Sequence, residues 1–388
     1  MRPIGIAPER VGVPMAVVSD VADAAPSPHS AAARGAPDTA LPMHRVRRQR
    51  GVVVLAVLAA ALPAAFLLAL ALGSVAIPLD AVVDILGGGD AGRASWAVII
   101  HDVRLPRAVT AALAGAALGI AGLQMQTLLR NPLADPFSLG ITSGASLGVA
   151  AVVLGAGGGV ALGGGLGGDA AVVGAAILGG LLVLGPVLAI AARVRNAATI
   201  LIVGLMFGYA VQSIVTILVV GTSFEQLQRW IAWGFGSFSG VTNAELPLFA
   251  ALVLAGILVA AASTKQLNAL LLGETAARSL GLNTRRMRLI GLGGASVLAG
   301  VVTAYCGPIA FLGVAIPHLA RGLVGSSDHR LLVPAAALLG ATVALLAQIF
   351  ALVAGRDGLL PLNAVTSLLG APVVVFVILR ARKGAFVA

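Results

Sequence analysis

The residues able to do chemistry are few, and their placement says more than their number. Outside the first 44 residues, every carboxylate falls in or beside a predicted loop: Asp80, Asp84, Asp90, Asp102, Asp135, Asp169, Glu225, Glu245, Glu274, Asp328 and Asp357. Carriers coupled to ions or protons usually bury a carboxylate at membrane depth, and no carboxylate here sits mid-run. The histidines, at 29, 44, 101, 318 and 329, show no metal-ligand spacing. The single cysteine, Cys306, can form no internal disulfide and sits in an apolar run, where it packs. No G-x-x-x-x-G-K-[ST] phosphate loop occurs, and the only lysines are Lys265 and Lys383. No catalytic residue, metal site or cofactor is expected in this chain. If ATP drives its work, a separate subunit binds the nucleotide.

Composition explains why so few charges remain. Hydrophobic residues make up 59% of the chain and charged residues 10%, with a mean hydropathy of +1.02. Ordinary soluble domains carry about 25% charged residues, so this is a membrane protein. The net charge of +10 then marks cytoplasmic loops, not nucleic-acid binding. Residues 1–44 are rich in Ala, Pro and Ser and read as a disordered cytoplasmic tail. Arg45, Arg47, Arg48 and Arg50 follow, then an apolar run from Val52 to Leu72. That run exceeds the roughly 7–15 residues of a signal-peptide core, so it reads as a retained first helix. The domain division is therefore a tail over 1–50 and a transmembrane domain over 51–388.

Ten apolar runs read as membrane segments, near 52–72, 108–129, 138–157, 170–192, 198–220, 246–264, 288–305, 309–324, 331–354 and 363–379. Residues 74–103 read as a wet loop with a short amphipathic helix near Pro78–Leu86, and 155–168 as a glycine loop. With the N-terminus inside, only Arg93, Arg104, Arg107, Arg229 and Arg356 of the 25 basic residues face outward. The positive-inside rule thus puts both termini in the cytoplasm. Between the second and third runs, Arg130 to Pro136 is a polar break with two prolines, which cannot continue a helix. Gly115–Gly122 resembles Gly293–Gly300, each followed by a Phe and a Leu-Gly pair, at Phe137 with Leu139-Gly140 and at Phe311 with Leu312-Gly313. With the two copies running in opposite directions, this is the pattern of an inverted repeat, a transporter feature.

The longest inner loop, about 267–288, is the clearest docking candidate. Ala269–Leu280 has helical character, with Leu270, Leu271, Ala277 and Leu280 near one face; Gly281 can stop it and Asn283 or Thr284 can cap a second helix. Composition alone equally allows an interfacial helix on anionic lipid, helped by Arg285, Arg286 and Arg288. Arg104 and Arg107 can fork onto carboxylates of a soluble partner, or anchor to headgroups. His318 reads as a packing or backbone-bonding residue, and Trp230 with Trp233 as an aromatic belt.

Taken in order, the motifs resemble the FecCD family of importer permeases over roughly residues 50–383. They are R-L-P-R at 104–107, G-A-A-L-G-I-A-G-L-Q-M-Q at 115–126, N-P-L-A-D-P-F-S-L-G at 131–140, L-G-E-T-A-A-R-S-L-G at 272–281, G-P-I-A-F-L-G-V-A-I-P-H at 307–318, D-H-R at 328–330 and L-G-A-P at 369–372. The resemblance implies an all-α type II ABC importer permease fold of ten transmembrane helices. It implies a homodimer in the inner membrane with the pathway along its axis, two ATPase subunits below and a soluble substrate-binding protein above. It also places residues: Arg104 and Arg107 at the binding-protein contact, with Arg356 standing in for a third basic residue where the alignment puts Leu352. Gly273, Glu274, Ala277, Leu280 and Gly281 fall in the coupling helices; Asn131 and Leu133 match an inner gate, and Ala197 with Ala198 a second. Iron-siderophore or heme is the first cargo expected by breadth of family usage, then cobalamin, then an oxyanion. The rival class is a self-sufficient secondary carrier or channel, which needs an intramembrane ionisable residue and no ATPase.

Overall fold

The computed structural model describes residues 40–89, 93–155, 166–194, 196–355 and 360–385. Among them every regular element is helical. The chain divides into two units, Met1–Arg45 and Val46–Ala388, and the account below concerns the second. In order the helices are α1 (Ala40–Ala71), α2 (Leu79–Leu86), α3 (Ala94–Leu128), α4 (Ile141–Val153), α5 (Leu166–Ala191), α6 (Ala197–Val220) and α7 (Phe224–Gly234). Then come α8 (Leu246–Ala262), α9 (Thr264–Leu271), α10 (Glu274–Ser279), α11 (Thr284–Cys306), α12 (Leu312–Val324), α13 (His329–Ala354) and α14 (Leu362–Ala385).

Six helical stretches are long and apolar enough to cross a membrane: Gln49–Ala71, Ala94–Leu128, Ala170–Ala191, Ala197–Val220, Thr284–Cys306 and His329–Ala354. A seventh forms if α8 and α9, bent by 49° at their junction, count as one. Ile141–Val153, Leu312–Val324 and Leu362–Phe376 are shorter apolar helices. Together these cover all the apolar runs read from the sequence, so the chain is a multi-span helical membrane protein.

Three boundaries differ from the sequence reading. Helix α1 begins at Ala40, inside the stretch expected to be an unstructured tail. The loop expected over 74–103 ends early, because α3 starts at Ala94 and runs 35 residues. The cause is local: Pro106 has no N–H for the preceding turn and its ring crowds the carbonyl four residues back. The helix answers by widening into a π segment over Ile99–Arg104 instead of breaking. Helix α5 begins at Leu166, inside the expected glycine loop, whose residues 156–165 lie outside the described residues.

Helix α3 is the central post. It packs against α8, α11, α12 and α13, and 83% of its apolar window is buried. Lipid is as apolar as leucine, so membrane helices gain from close packing through small residues. A Cβ built on Gly115 would stand 2.2 Å from the Gly340 carbonyl oxygen, and one on Gly340 would stand 2.2 Å from that of Gly115. Lower on the same helix, a Cβ on Gly122 would meet the Gly313 oxygen at 1.7 Å. The second tight pair is α4 on α5, where a Cβ on Gly144 would stand 2.3 Å from the Gly179 oxygen.

Three successive helix lengths recur in the second half of the chain. Helices α4 and α12 are both 13 residues, α5 and α13 both 26, α6 and α14 both 24. Each short helix starts from a left-handed residue, Gly140 at φ 80° and Phe311 at φ 69°. This register sets Gly140 against Phe311, so the pairing of Phe137 with Phe311 drawn from the sequence is displaced by three positions. A bulky residue in the left-handed region is strained. Here it is held: the Ala310 N–H donates to Asn363 Oδ1 (3.1 Å), and Phe311 lies against Gly370, whose added Cβ would meet its Cβ at 2.4 Å.

Candidate functional site

The loop between α8 and α11 folds as two short helices and not as the single helix Ala269–Leu280. Gly273 interrupts it at φ 109°, ψ 153°, a conformation open to glycine alone. Helix α10 then ends in a Schellman motif, with the Leu282 N–H on the Ala277 carbonyl (3.0 Å), the Gly281 N–H on Arg278 (2.9 Å), and Gly281 at φ 83°. Asn283 caps α11 through the Arg286 N–H (2.9 Å). Glu274 makes a close ion pair with Arg288 and a second with Arg278 at 3.4 Å, while Arg278 Nε donates to Thr284 Oγ1 (3.1 Å). The break also redistributes the leucines. Leu270 and Ala277 are buried, whereas Leu271, Leu272 and Leu280 are 49%, 68% and 67% exposed. The result is a braced knob with an apolar outer surface.

A polar network bolts this knob to the core. Asn268 on α9 donates from Nδ2 to Asp328 Oδ1 (2.6 Å). Its Oδ1 accepts the His329 backbone N–H (2.8 Å) and lies 2.8 Å from His329 Nδ1, which therefore carries a proton. His329 Nε2 is 2.9 Å from Thr127 Oγ1 at the foot of α3. The Thr127 hydroxyl also lies 2.8 Å from the Leu123 carbonyl and can donate to one of them at a time. Beside it, Arg321 Nη1 donates to Gln126 Oε1 (2.6 Å), and Gln126 Nε2 donates to the Val314 carbonyl (3.2 Å). Sequence reading missed Thr127, and gave no role to Asn268 in the docking loop or to Gln126 at the end of the 115–126 motif. Asp328 and His329 were visible only as part of the D-H-R motif.

The expected inner gate lies on the loop after α3. Asn131 Oδ1 accepts the Leu133 N–H (3.0 Å), an Asx turn that leaves Leu133 43% exposed. His318 Nε2 donates to the Pro132 carbonyl (2.7 Å), in keeping with a backbone-bonding role. Asp135 caps the short helix Pro136–Leu139 through the Phe137 N–H (3.1 Å). Burial raises its carboxyl from 3.8 to about 6, against a lowering by that N–H bond. A raised folded pKa means that the neutral form is favoured in the fold. The stabilisation is complete below about 3.8 and is lost as pH rises through about 6. Thermal melting in detergent between those values is expected to fall with rising pH more steeply for the wild type than for Asp135→Asn; parallel curves would refute this. The second gate position is separate in the chain: Ala197 and Ala198 open α6, where the Ala198 N–H donates to Asn196 Oδ1 (2.9 Å).

The arginines expected on the outer face divide. Arg104, 7% exposed, is not an outward-facing fork. Its Nη1 donates to the Leu70 (2.6 Å) and Ala71 (2.8 Å) carbonyls, and its Nη2 to that of Val75. These include orphan acceptors at the C-terminus of α1, and Gly73 has no Cβ to obstruct the guanidinium. The π segment ends at Arg104. Arg107 is half-buried and lines a cavity of about 230 Å3 with Ser237, Ser239 and Gln348. Arg356 lies outside the described residues. Arg104→Ala is expected to lower the melting temperature and membrane yield, since each buried carbonyl left unpaired costs about 1–3 kcal/mol. Arg107→Ala should leave both near wild type, and equal loss in the two variants would refute the division. Trp230 and Trp233 line a cavity of about 330 Å3, together with Thr142, Ser143 and Gln212.

The FecCD transport family matches residues 61–380. This chain belongs to that family. Relatives include the vitamin B12 import system permease protein BtuC of Escherichia coli O9:H4 (strain HS), 36% identical over 286 residues, covering 74% of this chain and 85% of the relative. BtuC of Citrobacter koseri is 37% identical over 299 residues, covering 76% and 87%. A solved inward-facing conformation of a metal-chelate type ABC transporter superposes with a TM-score of 0.72 at 27% identity, covering 84% of this chain and 99% of that one. This FecCD chain is accordingly the permease of an ABC importer, a multi-pass transporter component and not itself an enzyme. Such a permease works with ATPase and binding-protein partners.

Proposed function

We propose that this chain is one half of a homodimeric importer that carries a bulky metal chelate across the cytoplasmic membrane. Cobalamin is the first cargo to test, because the relatives at 36–37% identity are named for vitamin B12. An iron-siderophore or heme chelate is the second, supported by the likeness to a metal-chelate type transporter. All ten apolar helical segments cross the membrane as an inverted repeat, with both termini in the cytoplasm. ATPase subunits dock on the α9–α10 knob. Asn131, Leu133, Ala197 and Ala198 border the inner exit, and Arg107, positioned by the buried Arg104, meets carboxylates of a soluble binding protein.

The observation that carries the coupling role is the knob itself. Leu271, Leu272 and Leu280 are exposed on two short helices whose backbone is fixed by Gly273, Gly281 and the Glu274–Arg288 pair. An apolar surface on a rigid support is what a partner needs to push on. Through Asn268 and His329 a displacement of the knob reaches α3 and α13. Rocking of packed helices then opens one side of the axis and closes the other. Mild-detergent purification of the chain, then reconstitution with the subunits that accompany it, tests the reading. ATP-dependent uptake of labelled cyanocobalamin, competed weakly by ferric hydroxamate, is expected. ATP-independent uptake by the lone chain would overturn it in favour of a secondary carrier.

A further inference from the structure

A cleft of about 490 Å3 opens between the end of α5 and the start of α11. Arg193, Arg278, Arg285 and Arg288 line it, with Glu274 as the carboxylate among them. Glu274 is engaged with Arg278 and Arg288, so positive charge remains in excess even where the ion pairs form. Arg193 and Arg285 are exposed at opposite walls. Those walls are tied together, since Arg288 Nη1 reaches the Val194 carbonyl at 3.4 Å. Thr284 begins a 23-residue helix, and the positive end of its dipole adds to the field at the cleft.

Position narrows what this charge can serve. Ala191 and Thr284 are terminal residues of two helices long and apolar enough to span a membrane. The cleft therefore sits at the depth of lipid headgroups. Basic pockets between span ends attract anionic headgroups, and the arginine fork matches phosphate oxygens in pairs. We propose that this cleft is a phosphate-binding site whose occupant is the headgroup of an anionic phospholipid, held between Arg193 and Arg285 beside the α10 knob. A bound headgroup would steady the knob against the membrane surface. The site follows from span ends and charge and does not depend on which cargo is carried.

The test uses the full-length chain with its accompanying subunits, in mild detergent. The complex is equilibrated with equal amounts of phosphatidylglycerol and phosphatidylcholine, and retained lipid is counted by native mass spectrometry. Preferential retention of phosphatidylglycerol is expected, falling about tenfold in the double variant Arg193→Gln/Arg285→Gln and largely preserved in Arg193→Lys/Arg285→Lys. A second arm titrates inorganic phosphate into the delipidated complex and follows its melting temperature. A shift lost in the Gln variant, without lipid preference, would support the phosphate chemistry and assign it to a free anion. Equal lipid retention by the wild type and the Gln variant, with no phosphate shift in either, overturns the site. So does weakened ATPase association in the Gln variant with lipid unchanged, which would give the cleft to an acidic segment of the ATPase.

Discussion

Glu274→Arg is expected to uncouple ATP hydrolysis from transport, with cargo moved per ATP falling at least tenfold while hydrolysis continues. The effect does not come from the ion pairs as stability. Both partners are partly exposed, with side-chain exposures of 15% for Arg288 and 30% for Glu274, and such pairs contribute about 1 kcal/mol or less. It comes from geometry. Helix α10 is only six residues long, too short to hold its own shape in isolation. It keeps its angle through the glycine breaks and through Glu274, which reaches both Arg278 in the next turn and Arg288 on α11. An arginine at 274 adds a third cation to two that lose their counter-charge, and α10 is pushed off α11. The exposed leucines then no longer meet a partner in register. Glu274→Gln, which removes the charge without reversing it, should give a smaller loss. Uptake and phosphate release measured on the same proteoliposomes decide the matter, and an unchanged ratio would remove Glu274 from the coupling role.

Gly122→Ala is the second large effect. The added methyl would stand 1.7 Å from the Gly313 carbonyl oxygen, 2.5 Å from its carbon and 2.9 Å from its Cα. All three are backbone atoms, so no side chain can swing aside and α12 itself must shift. Overpacking of this kind costs about 1–3 kcal/mol, occasionally more, and the rigid contact places this site at the upper end. Gly294→Ala is the matched control. It lies within α11, and a Cβ there meets nothing within 4 Å. Alanine is favoured over glycine in helices by about 1 kcal/mol, so that variant should melt at or above the wild type. Melting temperatures of the two variants in the same detergent are the measurement. Equal shifts would mean that the close crossing of α3 and α12 does not hold the bundle together.

The sequence by itself determined the class of protein and the places where its apolar helices fall. Apolar runs with few charges leave a chain no alternative in water, and a helix is the backbone form that satisfies its own polar groups in lipid. It also determined the family, because a series of motifs in fixed order is specific where each alone is not. The glycine stop at 281 and the Asn283 cap were legible for the same local reason: they act within a few residues of themselves; the break at Gly273 was not, and the helix was read straight through it.

What only the tertiary structure decided were the partners of residues far apart in the chain. Arg104 looks in sequence like its neighbour Arg107, yet it reaches carbonyls more than 25 residues back in the chain, because α1 ends where the π segment of α3 passes. Asn268 is an unremarkable loop residue until α9 folds beside α13 and brings it to His329. The recurrence of helix lengths after the left-handed starts at Gly140 and Phe311 could not be read from composition, since Gly/Ala strings match at many offsets. Local signals are written in neighbouring residues and survive reading in one dimension. The polar contacts that brace this bundle join side chains to distant backbone, and only packing of the helices brings them within reach.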